Sequence, residues 1–181
     1  KAPKYAHIAP IMKEEEGSKR KLSKRKDPEA AVSYFTQEGY PAAAVMEYLL
    51  TIGNSNFEDW RRQNKEAPYT EFPFKLNKMS ASGALFDLQK LQSVSAEVIS
   101  RMTAQEVYDG ASRWAARFDP ELGSLLTRNP DYARGLFSID RGGKKPRKDI
   151  IRWNGVRQYC AYFYDELFSG EEKLELDPAL Q

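Results

Sequence analysis

The sequence predicts a mainly α-helical fold with a short β segment at its N-terminus. Three observations carry this. Pairs that cap and start helices, a short polar residue followed by proline, recur at Asp27-Pro28, Asp119-Pro120 and Asn129-Pro130. Thr103-Ala104-Gln105-Glu106 has the spacing of a capping box, and Ala104, Val107, Ala111, Trp114 and Phe118 behind it form one helical apolar stripe. No β-rich segment and no internal repeat is legible after residue 12.

Taken in order, residues 4–12 read as a short buried strand leading to a hairpin at Glu14–Ser18. Asp27 and Pro28 start a helix expected to reach Glu38, where Gly39 ends it. Pro41 starts the next, with Ala42, Val45, Leu49 and Ile52 on one face and Gly53 as its cap. Residues 54–65, around Phe57-Glu58-Asp59-Trp60, suit a third short helix. A connector broken by Pro68 and Pro73 follows. After the helices at 103, 119 and 129, Gly142-Gly143 and Pro146 mark a basic loop. A last long helix is expected from about Lys148 to Phe168, with Val156, Cys160, Phe163 and Leu167 on one face. A soft composition shift near 92–103 suggests a domain boundary there.

Composition bounds the function. The chain has 181 residues, 30% charged and 41% hydrophobic, with a net charge of only +2. This is a folded chain and not a uniformly basic nucleic-acid binder. Charge is instead segregated. Residues 1–26 hold nine Lys/Arg against three Glu, and residues 141–152 hold six Lys/Arg against one Asp. The tail Asp165–Asp177 holds six acids against one Lys. Two separated basic patches can share a face and track a phosphate backbone, or stand as unrelated solvated loops. Cys160 is the only cysteine, and its aromatic helical surroundings suit a buried structural thiol; the lack of any disulfide framework agrees with a reducing cytoplasm. One cysteine and one histidine cannot build a tetrahedral metal cluster, so no metal site is expected. There is no 18-residue apolar run and no signal-peptide core. The chain starts without Met and in mid-strand, as a piece of a longer protein would.

The densest basic run is Lys19-Arg20-Lys21-Leu22-Ser23-Lys24-Arg25-Lys26, six of eight residues basic, placed after Gly17-Ser18 and before Asp27-Pro28. Mobile lysines ahead of a helix N-terminus suit phosphate, although basic runs of this kind also serve as solvated or nonspecific nucleic-acid patches. Its core, Lys21-Leu22-Ser23-Lys24-Arg25, resembles the Lys-Met-Ser-Lys-Ser signature loop of class I aminoacyl-tRNA synthetases, in the spelling of the glutamyl-tRNA synthetases. Upstream, Tyr5-Ala6-His7-Ile8-Ala9-Pro10-Ile11-Met12 and Lys13-Glu14-Glu15-Glu16-Gly17-Ser18 resemble that family's apolar strand and acidic-glycine hairpin. Downstream, Tyr34-Phe35-Thr36-Gln37-Glu38-Gly39-Tyr40-Pro41, Tyr48-Leu49-Leu50-Thr51-Ile52-Gly53-Asn54 and Phe86-Asp87-Leu88-Gln89-Lys90-Leu91 are similar to family landmarks in the same order. The resemblance covers about the first half of the chain.

The resemblance implies three parts: residues 1–26 as the end of a catalytic domain with its loop, 27–95 as a helical domain contacting the tRNA stem, and 96–181 as the first part of a helical anticodon-binding region. It implies ATP as substrate, with Mg2+ in the full-length enzyme, and L-glutamate and tRNA(Glu) as partners of a cytoplasmic monomer. Lys21 and Lys24 would be the catalytic phosphate ligands, with Ser23 and Arg25 completing the ATP loop and Leu22 anchoring it. Arg147, Lys148, Arg152 and Arg157 are candidates for tRNA backbone contact. The family's His-Ile-Gly-His signature has no counterpart, since His7 stands alone and reads as a packing residue, so this piece is not expected to form an adenylate by itself. Lys78-Met79-Ser80-Ala81-Ser82 imitates the signature but lacks its second lysine. The competing readings are a noncatalytic helical RNA-binding or protein-interaction module, and a glutaminyl or lysyl enzyme of the same class.

Overall fold

A two-stranded antiparallel hairpin joins Met12–Glu15 (β1) to Ser18–Lys21 (β2), with register Met12↔Lys21 and Lys13↔Arg20. The computed structural model describes residues 3, 5, 7–79 and 82–168. Glu16 and Gly17 make the turn with φ of 50° and 77°, the left-handed backbone that two-residue hairpins require. The hairpin is tied to the chain ahead of the fourth helix: the Met12 amide donates to the Ala84 carbonyl (2.8 Å) and the Phe86 amide to the Met12 carbonyl (2.7 Å).

The strand therefore begins where the expected one ends, and its partner lies inside the basic run, after residue 12. Residues 7–11 belong to no strand among the described residues, and Ile8 is 68% exposed. His7 is exposed as well, so it is not the packing residue that its position suggested.

Eight α-helices follow among the described residues: Val32–Glu38 (α1), Ala42–Gly53 (α2), Phe57–Gln63 (α3), Leu88–Arg101 (α4), Ala104–Phe118 (α5), Pro120–Arg128 (α6), Pro130–Ser138 (α7) and Val156–Cys160 (α8). The expected starts hold at α5, α6 and α7. Thr103 and Glu106 form a complete capping box, and the Asp119 and Asn129 side chains accept from the Leu122 and Tyr132 amides. Asp87 caps α4 in the same way, a start not read from the sequence.

Four expectations need correction. Asp27 does not cap a helix: Pro28–Ala30 is a single 3-10 turn, Ala31 is extended, and α1 begins only at Val32. The Asp27 carboxylate is engaged upstream instead. Gly53 is the last helical residue of α2, not its cap; Asn54 ends the helix and its side-chain amide donates to the Lys75 carbonyl (2.9 Å). The buried residues of α2 are Ala44, Glu47 and Tyr48, whereas Ala42, Val45 and Leu49 line a cavity. The long helix from Lys148 to Phe168 is absent. Residues 146–150 are irregular, Trp153–Gly155 is a 3-10 turn, and α8 ends at Cys160. Long-range bonds hold that segment out of a helix: the Ser95 hydroxyl donates to the Ile151 carbonyl (2.5 Å) and the Trp153 amide to the Gly39 carbonyl (2.8 Å).

Two apolar clusters result. The larger gathers α5, α6, α7 and α8 around Val107, Leu122, Leu126, Phe137, Trp153 and Cys160. The smaller holds Tyr40, Tyr48 and Leu91, with Phe35 and Phe86 against it. Helix α4 runs unbroken through residues 95 and 96 and serves both, Leu91 to one and Ile99 to the other. Gly39 ends α1 in the left-handed conformation (φ 82°), and a Cβ there would lie 2.9 Å from the Trp153 Cβ. The end of α1 can thus close directly onto the segment before α8.

Candidate phosphate-binding loop

The loop begins as β2 leaves the hairpin. Because side chains alternate along a strand, Arg20 and its cross-strand neighbour Lys13 share one face, while Lys21 lies on the other. On the first face both cations reach Asp27. The Arg20 guanidinium donates to the two Asp27 carboxylate oxygens at 2.7 and 2.8 Å, and also pairs with Glu15. Lys13 Nζ lies 3.2 Å from Asp27 and pairs with Glu29 as well.

Asp27 is 2% exposed, and it also accepts the Ser23 amide at 2.8 Å. In return the Ser23 carbonyl accepts the Asp27 amide (2.8 Å) and the Lys26 amide (3.0 Å). Residues 23–27 are therefore a closed loop. The Arg20 fork beside Asp27, then the Ser23 amide, hold its carboxyl far below the usual carboxylate range, and the same pair holds the Arg20 guanidinium above its own.

With Arg20 and Lys13 spent on the frame, the remaining cations face outward. Lys21, Lys24, Arg25 and Lys26 lie outside that frame, and none pairs with a carboxylate among the described residues. Ser23 is half-buried in the frame. Lys21, Leu22 and Lys24 rim a cavity of about 760 Å³ whose other walls come from Ile8–Ile11, α1 and α2. Leu22 is fixed there by its amide, which donates to the Ile11 carbonyl at 2.9 Å. The arrangement suits an anion: an internally neutralised base carries unpaired ammonium groups beside an apolar cleft. Sequence reading assigned Asp27 to the following helix and passed over Lys13. The overlooked signal was a carboxylate four residues after Ser23, within reach of the loop's own amides.

The four residues read as RNA contacts are dispersed. Lys148 pairs with Glu97 across the surface of α4, and Arg147 pairs with Asp149, both in exposed pairs. Arg152 pairs with Glu38 at the end of α1 and lies over the Tyr40 ring. Arg157 is bidentate on Asp119 (2.6 and 2.7 Å) and reaches Glu121 at 2.8 Å, clasping the start of α6. Of the imitation signature, Ser80 and Ala81 lie outside the described residues, as does the acidic tail beyond Phe168.

No protein-family model matches the chain. Individual relatives do. It is 53% identical over 170 residues to a glutamate–tRNA ligase of Clostridium perfringens, covering 94% of this chain and 31% of that protein. A Clostridium beijerinckii glutamate–tRNA ligase is 52% identical over 177 residues (97% and 32%), and one from Sorangium cellulosum 45% identical over 185 residues (94% and 32%). The chain belongs to the glutamate–tRNA ligase family. It spans about a third of the length of the curated relatives it matches. The matches extend well past the half of the chain that carries the signature landmarks. The relatives named are all glutamate–tRNA ligases, the branch whose spelling the signature loop resembles. No helix among the described residues is long and apolar enough to cross a membrane.

Proposed function

We propose that this chain supplies the ATP-phosphate loop and tRNA-holding helices of a cytoplasmic glutamate–tRNA ligase. In the whole enzyme, L-glutamate attacks the α-phosphorus of ATP, pyrophosphate leaves, and the glutamyl group passes from the adenylate to tRNA(Glu). Negative charge grows on the departing phosphates. Lys21 and Lys24 meet that charge with preorganised ammonium groups, Ser23 shapes the loop, and Arg25 adds a further cation.

The observation that carries this reading is the closed Ser23–Asp27 loop with unpaired lysines at the mouth of an apolar cleft. Lysine and arginine donors suit phosphate oxygens and not a metal ion, so Mg2+ would enter with ATP rather than on ligands from this loop. The same family reading makes tRNA(Glu) the RNA partner, with Arg147 and Lys148, whose pairs are exposed, the more available of the four candidates. Arg152 and Arg157 we assign mainly to holding α1 and α6.

The test is Lys24→Ala in the full-length ligase. Loss of one such stabiliser slows glutamylation of tRNA(Glu) by on the order of 10²–10³ while the folded state survives. An unchanged rate removes the loop from the mechanism.

A further inference from the structure

The network around Asp27 closes the phosphate loop on itself, and its partners all lie between Lys13 and Glu29. A different stretch ties the loop to the helical body: residues 83–87, just ahead of α4. Leu85 pairs with Met12 as a parallel bridge. Two bonds bracket that pair, from the Met12 amide to the Ala84 carbonyl and from the Phe86 amide to the Met12 carbonyl. On its other side Met12 faces Lys21 across the hairpin, and the preceding Ile11 carbonyl accepts the Leu22 amide at 2.9 Å. Met12 therefore stands between Leu85 and the first lysine of the loop.

Both ends of this brace are fixed. At its start Gly83 has a φ of 79°, and a Cβ there would lie 2.5 Å from the Pro10 carbonyl oxygen. Backbone meets backbone at that point, and only glycine fits. At its end the Asp87 amide donates to the Tyr48 hydroxyl at 2.7 Å, and the Asp87 carboxylate caps α4 by accepting the Lys90 amide at 3.0 Å. Tyr48 is 1% exposed in α2, and its ring meets that of Phe86 edge-on at 5.6 Å. Tyr48 belongs to the helical body, and Lys21 and Lys24 belong to the loop. The brace joins them by backbone hydrogen bonds, which are directional, so a slip at Asp87 is passed to Met12 and on to the lysines.

We propose that residues 83–87 are a positioning brace for the phosphate loop and that Tyr48 is the positioning residue that sets it. Tyr48 acts through Met12 and Ile11 on Lys21 and Lys24; its part is to fix geometry and not to meet substrate. The proposal rests on the reading of those lysines as ATP-phosphate ligands. Misplacing such ligands by about 1 Å is enough to cost up to about 10²-fold in rate. Tyr48→Phe is a gentle probe, because the ring stays and only the acceptor of the Asp87 amide is lost.

The experiment is steady-state glutamylation of tRNA(Glu) by the full-length ligase, with ATP, L-glutamate and tRNA varied in turn, for the parent, Y48F, K24A and Y48F/K24A. The expected result is that Y48F lowers kcat/KM for ATP about tenfold and leaves KM for L-glutamate and for tRNA(Glu) unchanged, below the midpoint of its thermal melt. In the K24A background the same change costs only about twofold, because one of the groups it positions is gone. Gly83→Ala, which strains the brace at its other end, gives the same ATP-selective loss. A Y48F effect that multiplies in full with that of K24A, or that moves all three substrates together, is a general loss of packing and overturns the brace. Parent-like kcat/KM for ATP in Y48F, with K24A slow, also overturns it while sparing the loop. Parent-like kinetics in K24A overturn both.

Discussion

Ser23 and Asp27 hold each other at both ends: the Ser23 amide donates to the Asp27 carboxylate and the Asp27 amide donates to the Ser23 carbonyl, each at 2.8 Å. That reciprocity decides how the basic run is used. Arg20 and Lys13 neutralise Asp27 from behind, and Lys21 and Lys24 stay outside that network. On the proposed reading, a loop fixed this way needs little reorganisation when charge develops on a phosphate.

Asp27→Ala should therefore damage catalysis without touching a phosphate ligand. The Ser23 amide loses its acceptor and Arg20 keeps only Glu15 as a carboxylate partner among the described residues. In the full-length ligase we expect glutamylation to slow by about 10–100-fold, with KM for ATP raised, from misplacement of the lysines. Steady-state kinetics at varied ATP checks it. Wild-type parameters would mean that the loop orders itself without Asp27.

Arg157→Gln should act on stability. It removes the bidentate clasp on Asp119 and leaves that half-buried helix cap with less support. We expect a loss of about 1–2 kcal/mol in urea unfolding, and a salt slope for tRNA binding unchanged from the parent chain. A slope lower by about 1 with stability intact would make Arg157 an RNA contact after all.

Acid should loosen the fold in a defined window. Arg157 holds the Asp119 carboxyl below its ordinary value, as Arg20 does for Asp27. The unfolded chain, titrating near about pH 4, takes up these protons first as pH falls. The stabilisation is thus present above about pH 4–5 and is lost as pH drops toward the lower folded-state values. Urea midpoints at about pH 6, above that window, and at about pH 3, within it, test this: the midpoint falls, and falls less in Asp119→Asn. Equal midpoints at both pH values for the parent chain would contradict it.

Gly110→Ala should be costly although alanine favours helices. A Cβ at this position of α5 would lie 2.4 Å from Cζ2 of the buried Trp153 ring. Overpacking of this kind costs about 1–3 kcal/mol, more than the helix propensity gained. A thermal melt reads it directly, and a raised midpoint would show that the indole can move aside.

Cys160 should be inert in the native chain. Burial pushes its thiol up to about 12, and it is fully enclosed by the larger cluster. At about pH 8, below that value, a thiol reagent should modify it only at the rate of unfolding, and rapidly in urea. Fast labelling of the native chain would mean that α8 opens locally.

By itself the sequence determined the helical class, the hairpin turn, the starts of α5, α6 and α7, the end of α1 at Gly39, the buried thiol and the position of the basic loop. These depend on neighbours within about four residues: a cap and its amide, a glycine and its φ, an apolar stripe with helical period. The tertiary structure alone decided the rest. Asp27 looked like a helix cap because its competitor, Arg20, reaches it from a paired strand. The region from Lys148 to Phe168 looked helical by its pattern, yet Ser95 and Gly39, remote in sequence, bind its backbone in another shape. Nothing in the sequence around Glu47 singles it out, and only packing brings Arg61 and Arg101 onto it. Local propensities are worth tenths of a kcal/mol per residue, and bonds made across the fold can outweigh them.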